Sequence, residues 1–136
     1  MSVFKKGTKA YSIFNNKCPY CQEGDFFISS NPYNLKKSGE TYEKCKVCGE
    51  PFSKEPGFYY GAMYVSYAIT VAIFLIVWFA TSYIFPLFGV TPKVLIVVSL
   101  IVLLGPYIYF ISKLIWANMF MHYHPYTNTD EVHEKN

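Results

Sequence analysis

The sequence predicts a membrane protein in which a small β-rich ribbon, closed by paired cysteines, precedes a two-helix transmembrane hairpin. Three observations carry this reading. Two C-x-x-C hooks, "CPYCQEGDFF" from Cys18 and "CKVCGEPF" from Cys45, contain all four cysteines of the chain. Residues 57–121 hold only two charged side chains, Lys93 and Lys113, too few to build the surface of a soluble domain. One long apolar run precedes Lys93 and a second lies between Lys93 and Lys113, separated by "PLFGVTPK", whose prolines and glycine are turn punctuation.

Residues 1–17 read as a loose basic N-terminal arm. A secretory signal would follow its basic start at once with an apolar run and a small-residue cleavage site, and "MSVFKKGTKAYSIFNNK" has only the basic start. This segment is therefore expected to stay where it is made. A net charge of +3, carried by lysine without a single arginine, is too mild for a dedicated nucleic-acid binder.

Residues 18–56 are the ribbon. Between the hooks, "FFIS" and "TYEK" have short-strand character, while "NPYN" and "KKSGE" carry turn chemistry. Two residues between thiols let a tight turn aim both sulfurs at one ion, and Gly49 after Cys48 and Gly24 after the first hook supply the backbone freedom such turns ask for. Cys18, Cys21, Cys45 and Cys48 would thus form a closed tetrahedral shell around one structural Zn²⁺, with no position left for water or substrate. The 23 residues between hooks slightly exceed the usual zinc-ribbon spacing, which a longer hairpin accommodates.

Rival chemistries are weaker. Disulfides suit an exported domain, and a redox dithiol usually opens a helix, whereas both hooks lie in turn-rich sequence. Iron in a rubredoxin-like site is the sharper rival, but the first hook lacks the glycine that directly follows Cys48 in the second. Size favours a metal of some kind. About 40 ordered residues bury too little apolar surface to fold alone, and a bound Zn²⁺ contributes on the order of 10 kcal/mol.

Residues 57–121 form the hairpin, with spans expected at about 60–85 and 94–116. Pro106 is expected to kink the second. Nine of the twelve lysines precede the first span, so the positive-inside rule places both termini in the cytoplasm. Tyr59, Tyr60, Tyr64, Tyr107, Tyr109 and Trp116 would crowd that interface, with Trp78, Tyr83 and Phe85 near the other. Small residues one turn apart, Ala62 with Ser66 and Ala68 with Ala72, would let the first helix approach the second or a partner closely.

Residues 122–136 read as a mobile C-terminal tail. His122 and His124 are two apart, and Pro125 pushes His124 out of helical geometry, so they are expected to end a helix at the interface rather than to bind metal. No catalytic constellation occurs: no H-E-x-x-H, no phosphate-cradling glycine loop, no nucleophile elbow, and no acidic residue within the spans. The chain is not expected to be an enzyme.

"CPYCQEGDFF", "CKVCGEPFSKEPG" and the two spans together resemble an uncharacterised family of small bacterial membrane proteins, domain of unknown function 983; "NPYNLKK" and "EPGFYYGAMYVSYA" resemble one branch of it. The similarity runs from Lys17 to about Pro125. It implies that Cys18, Cys21, Cys45 and Cys48 are zinc-ribbon ligands in a protein of the bacterial inner membrane. Some relatives are encoded near haem–copper oxidase genes, which implies a place in respiratory-complex assembly by association alone. The expected function is a non-enzymatic, partner-binding accessory or assembly factor for a larger membrane complex, contacting membrane lipid and no nucleic acid. The alternative is a metal-trafficking or rubredoxin-like electron-transfer protein.

Overall fold

The computed structural model describes residues 4–37 and 39–125, and among them three helices follow in order: α1 (Lys9–Asn15), α2 (Tyr60–Ile84) and α3 (Val90–Phe120). The first replaces part of the arm expected to be loose. Thr8 caps it by accepting a hydrogen bond from the Tyr11 backbone N–H at 3.3 Å, and Asn16 ends it in the left-handed region at φ 54°. Ser12 is buried on its inner face and donates to the Lys17 carbonyl at 2.6 Å, while Asn118 of α3 donates to the Ser12 hydroxyl at 3.2 Å. This chain of polar groups ties α1 to α3.

The β-rich ribbon is not borne out. Among the described residues there are only three isolated antiparallel bridges, Lys17 with Asp25, Phe27 with Thr41 and Lys44 with Pro51. The first and third close the base of one hook each; the second joins the two. Pairing stops after one rung because the hooks consume their residues in turns and the chain beyond Phe27 soon turns at Asn31, whose side chain accepts from the Tyr33 N–H at 3.0 Å. A second reason lies in the core. Phe26 and Phe27 are adjacent and both fully buried, one against Phe52 and the other stacked on Phe110 of α3 at 4.0 Å between ring centroids. A helix supplies the layer that a sheet would otherwise provide.

Both α2 and α3 are long and apolar enough to cross a membrane. Little of either is buried within the chain, which separates them from the core helices of a soluble protein. Their turn is tighter than the sequence suggests. Gly89 precedes α3, so Pro92 and Lys93 fall in its first turn, where proline's missing N–H costs nothing. The helix also runs on through Pro106 to Phe120. Ala62 is buried, but Ala68 and Ala72 face outward and do not pack against α3.

The helices come into close contact at Gly61. A Cβ there would lie inside the Trp116 indole, whose Nε1 donates to the Phe58 carbonyl at 2.7 Å. Gly61→Ala must therefore expel the indole. A loss of about 1–3 kcal/mol is expected, read as a lower melting temperature of the detergent-solubilised protein, with Ala68→Val near neutral as the control.

The core is one cluster running from the hooks into α3. Cys18, Cys21, Cys45, Phe26, Phe27 and Phe52 pack with Phe110, Leu114, Ala117 and Met121. Phe110, Leu114 and Ala117, spaced by four and three, form a single stripe on α3, and Met121, the residue that caps the helix, extends it. Residues 122–125, the start of the expected tail, turn back toward the first hook: the His124 N–H donates to the Tyr20 carbonyl at 2.9 Å and its ring stacks on Tyr20. The remainder of that tail, from 126, lies outside the described residues.

Candidate metal centre

The two hooks are built alike. In the first, the Gln22 N–H donates to the Cys18 carbonyl at 2.9 Å; in the second, the Gly49 N–H donates to the Cys45 carbonyl at 3.0 Å. Each opening cysteine then donates across its own base, Cys18 to Gly24 at 2.8 Å and Cys45 to Glu50 at 2.9 Å. The residue directly after each second cysteine is left-handed, Gln22 at φ 58° and Gly49 at φ 74°. The glycine whose absence from the first hook counted against iron is thus replaced by a glutamine in the same conformation. Gln22 is held there by its side chain, which accepts from the Gly7 N–H at 2.6 Å and donates to the Thr8 carbonyl at 2.9 Å. These bonds offset the cost of a left-handed non-glycine residue.

Gln22 is the residue that sequence reasoning missed. Its signal was present but faint: position 22 aligns with Gly49 when the hooks are superimposed, and an amide can satisfy two backbone groups at once. Gly24 also does something other than expected. Its backbone is not left-handed; a Cβ there would stand 2.5 Å from the Cys45 sulfur. Glycine is required for room.

These turns bring the four sulfurs within 4.8 Å of one another. Cys18 and Cys48 are 3.9 Å apart and Cys21 and Cys45 3.7 Å, so the close pairs cross between hooks. A regular tetrahedron with metal–sulfur bonds of about 2.3 Å has edges of about 3.8 Å, so the donor set fits a four-sulfur ion. All four cysteines are free of disulfides. The backbone N–H groups of Glu23 and Val47 point from 3.5 Å at the second sulfur of the first hook, Cys21, and the first sulfur of the second hook, Cys45, as donors to thiolates do.

Electrostatics divides the sulfurs. Cys21 is pushed well below the ordinary thiol range, first by its hydrogen bond with Cys18 and then by those with Cys45 and Cys48. Cys45 is lowered to about 6, first by Cys18. Cys18 is pushed up, first by Cys21. Cys48 is also pushed up, despite the lowering contact with Cys18, by Cys21, Cys45 and burial. A cation must displace the protons that Cys18 and Cys48 retain, so metal affinity falls as pH falls.

Cys18, Cys21 and Cys45 are buried, while Cys48 is half-exposed beside Gly49, which has open space around it. Among the described residues no other group of histidine, cysteine or carboxylate side chains could hold a metal, so His122 and His124 stand apart from the centre. The two glycines should behave oppositely. Gly24→Ala is expected to abolish metal binding, whereas Gly49→Ala should cost only about 1 kcal/mol of backbone strain and leave stoichiometry unchanged, as metal analysis of the purified variants would show.

Comparison with known proteins gives a family and no activity. The model of a protein family of unknown function, DUF983, matches residues 37–121, which include the second hook and both long helices; the first hook precedes the match and is joined to it by the sulfur geometry. No curated protein and no solved structure matches. The chain, with its two apolar helices and a four-cysteine centre at their head, belongs to the DUF983 family.

Proposed function

We propose that this is a non-enzymatic protein of the bacterial inner membrane, both termini cytoplasmic, in which one structural Zn²⁺ on Cys18, Cys21, Cys45 and Cys48 holds a rigid head for binding a larger membrane complex. One observation carries the reading: three of the four sulfurs lie in the same hydrophobic cluster as the last turns of α3. A closed shell inside a core suits a fold-holding ion, because exchange of the ion would require the core to open. A head continuous with a membrane helix also transmits its orientation to whatever packs beside that helix. A respiratory oxidase under assembly is one such partner, suggested only by the gene neighbourhood of relatives.

A second reading is favoured by the half-exposed Cys48 and by the N–H to sulfur bond present in each hook. Under it the thiolates act functionally, handing over metal or holding a rubredoxin-like iron. Chelator challenge of the full-length protein in mild detergent separates the readings. The structural reading expects one colourless zinc per chain, retained for hours against a mild chelator. Red protein, or loss of zinc within seconds, would transfer the weight to the second.

A further inference from the structure

At about 46 Å, the 31 residues of α3 overreach a hydrocarbon core of about 30 Å. The buried positions show which end is surplus. Apart from Val97, every buried residue of α3 lies between Ile108 and Asn118, against the head. Residues 90–107 remain, about 27 Å of helix, close to the hydrocarbon thickness. Given the membrane reading above, Tyr107 then marks the leaflet boundary.

The underside of the head sits at that level. Phe14 and Pro32 share with Tyr107 and Ile111 the walls of a cavity of about 210 Å³. Gly39 backs onto the Tyr109 ring and accepts from Lys113 Nζ at 2.6 Å. The loop carrying Tyr33 and Leu35 therefore lies against α3 on both sides, near positions 107 and 111 at Pro32 and near 109 and 113 at Gly39. Its apolar side chains are nonetheless turned outward, Leu35 80 % exposed and Tyr33 51 %; Phe14, across the cavity from Pro32 and stacked on Phe4, is 59 % exposed. Lys36 and Lys37 follow directly, and Lys5 and Lys9 precede Phe14 on the arm and α1.

Outward apolar side chains next to lysines, level with the end of a span and continuous with its exposed apolar surface, match the amphipathic depth profile of a phospholipid interface. We infer that the underside of the head, formed by Phe14, Tyr33 and Leu35, is inserted into the phospholipid headgroup layer. The head lies on the membrane and does not stand off from it. The hooks occupy the opposite end: His124, which stacks on Tyr20 of the first hook, follows the end of α3, about 20 Å beyond Tyr107.

Photocrosslinking of the full-length protein in phospholipid nanodiscs tests this. p-Benzoylphenylalanine is introduced singly at position 35, at position 14, at position 103 within the span, and at position 47 on the second hook; zinc content confirms that each variant folds. The inference expects lipid adducts at 103, 35 and 14, and at least tenfold fewer at 47. Adducts at 103 without adducts at 35 and 14 would overturn the interfacial head while leaving the membrane reading intact. Absence of adducts at 103 as well would overturn both, and equal labelling at 47 would show that the adducts carry no depth information and reject the placement.

Discussion

Replacing any one of Cys18, Cys21, Cys45 or Cys48 by serine is expected to give nearly the same defect: zinc well below one per chain and protease cleavage within residues 22–44. The loss of one thiolate opens the shell and removes most of the roughly 10 kcal/mol that the ion contributes. Cys18, Cys21 and Cys45 lie within the core cluster, so an open shell also exposes Phe26, Phe27 and Phe52. The long helices should persist, because each satisfies its backbone internally and needs no metal to do so. Circular dichroism should keep most of its helical signal while limited proteolysis changes sharply. If one hook proved dispensable for zinc and protease resistance while the other did not, a single four-sulfur centre would be wrong.

Leu114→Ala is expected to loosen the metal although it lies far from the hooks in sequence. Leu114 is fully buried in the cluster that contains the sulfurs, and truncating such a side chain costs about 2–5 kcal/mol. A cost of about 3 kcal/mol would raise the population of open head roughly 150-fold, and chelator-driven zinc release should accelerate by a comparable factor. Leu103→Ala is the control. Leu103 is exposed on the apolar surface of the same helix, and its truncation should leave the release rate unchanged. Equal rates for both variants would mean that head and helix are independent.

What the sequence revealed and what it hid follow from the range of the interactions involved. The cysteine set and the two apolar helices are local patterns: thiols at fixed spacing, and charge-free runs long enough to cross a bilayer. The strands were misjudged because "FFIS" and "TYEK" have strand-like composition, while their actual partner is the stripe Phe110, Leu114, Ala117 and Met121, more than 60 residues away in the chain. That stripe was hidden inside an apolar run in which lipid-facing and core-facing residues have the same chemistry. Asn118 was the available sign that the end of the run packs against the head: it is almost fully buried and, besides its bond to Leu114 within α3, donates to Ser12 of α1. Gln22 was hidden for another reason. Glycine is the usual marker of a left-handed turn, and here side-chain hydrogen bonds do its work.

X-ray absorption at the metal edge, on full-length protein purified in mild detergent without added metal, tests the central claim most directly. A zinc edge and one shell of four sulfurs at about 2.3 Å are expected, unchanged in a variant lacking both His122 and His124. A nitrogen or oxygen atom in the shell, an iron edge, or protein that keeps its protease-resistant head with no metal at all would contradict it.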